Sequence, residues 1–231
     1  LILFITYLIV VIFIFFYQRK LLYHPSENNY LDETNLNHKI EKIYIQSDTE
    51  LVSWYYNNNK SYKTILFFHG NAGRLDNRVY KLNELAKLNI NYLIVAYRGF
   101  SGNQGKPSEE GIYKDSNAAK KWLNENGIND KNIILYGESL GTAVAVDLAS
   151  KNNFAGIILE SPFTSMIKLA KKYYPYLPVT ILLKDKYESE NKLKKINAPI
   201  LIMHGKKDTI VPFEMGEEMF NKSNNPKFKY F

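Results

Sequence analysis

The stretch from Asn132 to Ala149, NIILYGESLGTAVAVDLA, constrains this chain more than any other. A β-branched apolar run ending at Tyr136 reaches Gly137-Glu138-Ser139-Leu140-Gly141, and a small-residue helical pattern follows. Gly-x-Ser-x-Gly at a strand-to-helix junction is a turn so sharp that side chains on either side of the serine would collide with the crossing backbone. Both positions are therefore glycine, Gly137 and Gly141. The turn pushes the Ser139 hydroxyl out above the sheet, at a helix N-terminus whose unpaired N–H groups stabilise an anion forming beside it. Ser139 is the candidate nucleophile. The alternative reading is a glycine-bracketed turn whose serine only caps the helix.

The rest of the chain spells an α/β domain around that turn. Ile43 and Ile45 alternate with polar neighbours, Ser47-Asp48-Thr49 turns the chain, and Leu51 to Tyr56 alternates again, as paired antiparallel edge strands do. From Thr64 onward the runs become continuously apolar: TILFF (Thr64 to Phe68), YLIVA (Tyr92 to Ala96), NIILY (Asn132 to Tyr136), GIIL (Gly156 to Leu159) and ILIM (Ile200 to Met203). Such runs are strands buried on both faces, so the sheet is mainly parallel and covered by helices. One helix opens at Pro107-Ser108-Glu109-Glu110, turns Ile112, Ala119, Trp122 and Leu123 inward and stops at Gly127. Glu214 to Phe220 has helical spacing, Asn224-Asn225-Pro226 breaks it, and Lys227 to Phe231 alternates as a final strand.

Two segments stand apart from this pattern. Leu1 to Tyr17, LILFITYLIVVIFIFFY, has no charge, glycine or proline, and as a helix it measures about 26 Å against a bilayer core of about 30 Å. It reads as a single-pass membrane anchor rather than a signal-peptide core, because no small-residue cleavage site follows. Arg19 and Lys20 alone leave the side of the membrane open. Residues 18–39 read as a polar tether, and 40–231 as the catalytic domain. Within it, a cap at about 163–198 is too long for a plain connection. From Lys168 to Lys195 the cap holds eight lysines against Asp185, Glu188 and Glu190, which is +5 of the formal +7 of the chain. That composition suits a surface near anionic headgroups.

Composition excludes several classes of function. The chain has no cysteine, so it has neither disulfides nor thiolate metal sites, and no metal or cofactor is expected. The lysines are not interleaved with a reader motif, so nucleic acid is not an expected partner.

In an open parallel sheet the working residues gather at the C-terminal ends of the strands. His69-Gly70-Asn71-Ala72-Gly73 follows TILFF, and a glycine-flanked loop there offers a backbone N–H from Asn71 or Ala72 to an oxyanion, with Leu140 as the second donor. His69 reads as a packed residue that anchors the loop. His204-Gly205-Lys206-Lys207-Asp208 follows ILIM, and Asp208 is placed to hold a catalytic imidazole; the alternative is a turn aspartate before a helix.

Strand-HGNAG, YRGFSGNQGKPSEEG (Tyr97 to Gly111), GESLG and HGKKDTIVP, in that order, resemble the α/β-hydrolase superfamily. They resemble in particular its N-terminally membrane-anchored branch of serine-aminopeptidase-like hydrolases, which includes eukaryotic acyl-protein thioesterases and lysophospholipid lipases. The resemblance runs from about Arg19, through the QRKLLYHP junction, to the end of the chain. It implies Ser139 as nucleophile, Asp208 as triad acid and the backbones of Asn71 and Leu140 as oxyanion hole. Should Asp208 not be the acid, Asp185 is the next to test, and the expected partner is a small-molecule or lipid-like acyl substrate. The family order places a histidine in the loop after the last strand, and this chain has none beyond His204. The first methionine is Met166. The sequence is accordingly expected to be cut at both ends, with the histidine just past Phe231. The competing expectation is a non-catalytic module that keeps the fold as a binding surface.

Overall fold

A computed structural model describes residues 1–26, 35–224 and 227–230. The middle of the expected tether, the Asn225-Pro226 break and Phe231 lie outside the described residues. The centre is an eight-stranded sheet. In chain order its strands are β1 (Glu41–Gln46), β2 (Glu50–Tyr56), β3 (Thr64–Phe68), β4 (Asn91–Val95), β5 (Ile133–Glu138), β6 (Gly156–Glu160), β7 (Ile200–Met203) and β8 (Lys227–Tyr230). Their spatial order is β1-β2-β4-β3-β5-β6-β7-β8. Strand β2 pairs antiparallel with β1 and with β4, and every other pairing is parallel.

The alternation of side chains explains the layers. In β3, Leu66 and Phe68 face one core while Ile65 and Phe67 face the other, and all four are at most 2% exposed. The first core is closed by α3 (Glu109–Glu125) and α4 (Leu140–Ala149), the second by α2 (Val79–Ala86). Helix α3 starts where the sequence places it, with the Ser108 hydroxyl accepting from the Gly111 N–H at 3.1 Å, and buries Ile112, Ala119 and Leu123. Gly127, at φ +83°, ends it in a conformation that favours glycine. Inside this core the Asp115 carboxylate is fully buried and takes the Arg98 guanidinium at 2.6 Å, tying the Tyr97 to Gly111 loop to α3.

The cap consists of α5 (Met166–Tyr173), α6 (Val179–Leu182) and the loops around them, and α7 (Phe213–Lys222) precedes β8. Of its eight lysines, Lys171, Lys172, Lys184, Lys194 and Lys195 are exposed, while Lys168 and Lys192 are paired inward. Lys168 bridges Glu190 and Glu218 at 2.9 and 2.8 Å, and Lys192 meets the buried Asp147 at 2.7 Å.

The apolar N-terminal segment is one helix, α1 (Ile2–Leu22), running five residues past the expected end of the anchor. Residues 18–25, expected to begin the tether, form a docked joint instead. The Gln18 side chain is buried, donating to the Leu182 carbonyl at 2.9 Å and accepting from the Lys184 N–H at 2.8 Å. Arg19 forks onto Asp185 at 2.8 and 2.9 Å, and Tyr23 donates to the same carboxylate at 3.1 Å while touching the Tyr187 hydroxyl at 2.7 Å. Burial and the Asp185 charge push the Tyr23 phenol far above its ordinary range, so it stays a neutral donor. Beyond α1, His24–Pro25 pairs in parallel with Ala72–Gly73.

Asp185 is 3% exposed, so loss of its guanidinium partner leaves a buried charge with only neutral donors. Arg19→Ala should therefore lower stability in detergent by about 1–3 kcal/mol, read from denaturant midpoints.

Candidate active site

Ser139 sits where β5 turns into α4, with φ 51° and ψ −113°. A non-glycine residue reaches that region only under constraint, and the constraint here is contact on both sides. A Cβ on Gly141 would lie 2.0 Å from the Phe68 carbonyl oxygen, and one on Gly137 would lie 2.4 Å from the Gly141 carbonyl oxygen. The helix start thus crosses directly over the end of β3. The turn is held from the other side by the Ser139 N–H, which donates to the Glu160 carbonyl at 2.8 Å.

Ser139 and Asp208 line one open cavity of about 520 Å³ above the strand ends, together with Arg78, Lys81, Glu138, Glu160 and Ser161. The Asp208 carboxylate accepts the Ile210 and Val211 N–H groups, both at 2.9 Å. Partial burial by itself raises its pKa, but those two bonds, one from the Ser161 hydroxyl and the neighbouring His204 outweigh it. The carboxyl titrates below its ordinary range and stands as an acceptor-only anion. Asp185 is elsewhere: its carboxylate is taken up by Arg19, Tyr23 and the Glu109 N–H, and it does not line this cavity.

The loop from His69 to Gly73 packs on the elbow, so that a Cβ added at Gly70 would lie 3.4 Å from the Glu138 carboxylate. His69 is fully buried, holds the Gly70 carbonyl at 2.7 Å and lies against Tyr97. Burial, with Arg78 nearby, drives its pKa down to about 3, so it is a neutral packed ring. Asn71 faces the joint with α1: its side chain donates to the Leu22 carbonyl at 2.7 Å, and its carbonyl accepts the His24 N–H at 2.8 Å. Among the described hydrogen bonds, the backbone N–H groups of Asn71 and Leu140 donate to no protein acceptor.

An ionic cluster beside the serine has no motif in the sequence. Glu138 accepts from Arg78 at 3.0 Å and Lys81 at 2.9 Å, Lys81 reaches on to Glu160 at 2.5 Å, and Tyr136 donates to Glu160. Burial alone would raise the Glu138 pKa, and the two cations bring it below the usual range. Its sequence signal was positional: Glu138 and Glu160 are the last residues of β5 and β6, where α/β sheets carry their sites.

None of the chain's four histidines lines the cavity. His204, which shares a turn with Asp208, is buried with Nε2 3.0 Å from the Val211 carbonyl and 3.6 Å from Asp208. His38 contacts Tyr92, His69 is packed as above, and His24 pairs with Ala72.

Comparison with known proteins identifies the family and the fold. The model of the Prolyl oligopeptidase family matches residues 81–227. An uncharacterized protein of Mycobacterium tuberculosis is 34% identical over 94% of this chain and 79% of its own length. Human alpha/beta hydrolase domain-containing protein 17B is 35% identical over 71% of this chain and 56% of its own length. Among solved structures, the esterase Pf2001 of Pyrococcus furiosus superimposes with a TM-score of 0.73 at 21% identity, covering 90% of this chain and 89% of its own. An α/β hydrolase from Vibrio vulnificus gives 0.68 at 25% identity over 84% and 75%.

Because Asp208 and Glu138 titrate lower in the folded chain than in the unfolded one, each adds stability that is full above about pH 4 and is lost as pH falls through the lowered values. Between about pH 6 and pH 3, urea unfolding of Asp208→Asn should therefore depend less on pH than that of the parent.

Proposed function

The chain belongs to the prolyl oligopeptidase family of the α/β-hydrolase superfamily, and on that footing we propose that it is a membrane-anchored serine hydrolase acting on ester, thioester or amide bonds. The observation that carries this reading is the backbone of Ser139, held at φ 51° and facing the cavity it shares with Asp208. Oγ of Ser139 attacks the acyl carbon, and the N–H groups of Leu140 and Asn71 receive the oxyanion. The alcohol, thiol or amine leaves, and water then releases the acid from the acyl-enzyme. Asp208, kept ionised by its backbone donors, would orient an imidazole that takes the serine proton and returns it to the leaving group, a base that none of the four histidines present supplies at this cavity. A small-molecule or lipid-like acyl group fits this chemistry.

The anchor reading rests on α1. Its 21 residues have a mean hydropathy of 2.1 over the most apolar window, of which 6% is buried, enough in length and composition to cross a bilayer. A cleaved leader would not carry Gln18 and Arg19, whose partners Leu182 and Asp185 lie in the folded domain.

One observation favours a second reading, a non-catalytic binding protein of the same fold: none of His24, His38, His69 and His204 lines the Ser139 cavity. A single measurement separates the two. In its native membrane the protein should be labelled by a fluorophosphonate probe, and Ser139→Ala should abolish the labelling; an unlabelled parent leaves the binding protein as the better account. Where labelling occurs, Asp208→Asn should stay folded yet lose turnover of an activated ester by a factor on the order of 10⁴, because the imidazole is then held in the wrong tautomer.

A further inference from the structure

The cap touches α1 at two levels. Near the end of the helix, Gln18 bonds the Leu182 carbonyl; far up the helix, the Tyr7 hydroxyl donates to the Tyr176 carbonyl at 2.9 Å. Eleven residues of helix separate these contacts, a rise of about 16 Å, or roughly half the hydrocarbon thickness of a bilayer. A helix that spans the membrane therefore carries this part of the cap in with it.

The segment has the composition for that place. From Tyr173 to Leu183, YYPYLPVTILL, it holds no charged residue, and it is bracketed by Lys171 and Lys172 on one side and Lys184 on the other, where long cations reach the interface. Its large side chains point outward although they are apolar or amphipathic: Ile181 is 84% exposed and Tyr176 68%. In water such a patch beside an exposed apolar helix is costly, and in lipid it is the expected surface.

Its backbone meets most of a stricter requirement, with only the N–H groups of Tyr176 and Thr180 lacking a partner among the described hydrogen bonds of this segment. Hydrocarbon offers no partner to a free N–H or carbonyl, so an immersed non-helical segment must satisfy its own. The N–H groups of Tyr174, Leu177, Val179, Ile181, Leu182 and Leu183 all donate to carbonyls of the cap, and Pro175 and Pro178 have no N–H to satisfy. The carbonyls of Tyr176 and Leu182 are covered by Tyr7 and Gln18 of α1 itself. Between the two elements lies a cavity of about 190 Å³ walled mostly by apolar residues such as Ile14, Leu21, Ala170, Leu177 and Val179, with Gln18, Arg19 and Asp185 also lining it.

We propose that residues 173–183 of the cap are embedded in the bilayer alongside α1, as a re-entrant element that does not cross. The proposal rests on the reading of α1 as a membrane anchor. The membrane partner is the acyl region of the lipid rather than the headgroup layer, so the uncharged segment of the cap, and not its lysines, makes the main contact. The embedded element also reaches the site, because the Tyr173 hydroxyl donates to the carbonyls of Thr209 and Ile210, directly after Asp208.

The chain has no cysteine, which allows a single label to be placed at will. Ile181→Cys, Ile9→Cys in α1 and Asn126→Cys at the opposite end of the sheet would each carry an environment-sensitive fluorophore. The whole protein would be reconstituted in phosphatidylcholine vesicles containing acyl-chain nitroxide lipids. The expected result is a blue-shifted emission and loss of fluorescence to the nitroxide at positions 181 and 9, and neither at position 126. Quenching at 9 with an unshifted, unquenched 181 overturns the embedded cap and leaves the anchor standing. No quenching at 9 overturns the anchor reading, and the embedded cap falls with it.

Discussion

The close crossing of α4 over the end of β3 is the contact on which the rest of the molecule depends. With the Gly141 position 2.0 Å from the Phe68 carbonyl oxygen as measured to an added Cβ, no other residue fits there, and the chain leaving β5 has one path available. That path fixes the strained Ser139 backbone and starts α4 over the first core. It also presses the His69 to Gly73 loop against the elbow. Strain of this kind persists only when its surroundings over-determine it. Here the parallel neighbours do so, through the Ser139 bond to the Glu160 carbonyl and the register of Phe68 with Gly137.

A second organising centre lies at Asp185. One buried carboxylate gathers Arg19 and Tyr23 from the N-terminal segment and the Glu109 N–H from the start of α3, while the Glu109 carboxylate takes the Lys186 and Tyr187 N–H groups in return. The N-terminal helix, cap and domain thus meet at a single set of charge-assisted bonds.

What the sequence disclosed follows a physical division. Strands such as TILFF and YLIVA were legible because burial on both faces leaves a continuous apolar run, and the elbow was legible because its glycines have a steric cause. The helix from Glu109 to Glu125 announced itself through Ser108 and Gly127. Interactions between distant segments were not legible. Nothing in a polar run such as QRKLLYHP says that Gln18 will be buried or that Arg19 will pair across 166 residues with Asp185, so these residues read as tether and candidate acid. The Lys81 to Glu160 link escaped notice for the same reason: each residue is ordinary alone, and only the sheet brings β6 beside the helix end.

The docked joint changes what can be counted as a separate part. Cutting the chain between α1 and the rest would remove not a leash but a structural member. Asp185 would lose its guanidinium, the Leu182 carbonyl its Gln18 donor, and the Asn71 amide its acceptor at Leu22. The last of these lies in the loop beside the serine, so the wound would open at the site itself. A version made by deleting α1 would be a different protein, whereas one in which polar residues replace the outward face of α1, from Ile2 to Phe16, would keep the bonds that Gln18, Arg19 and Tyr23 make with the cap.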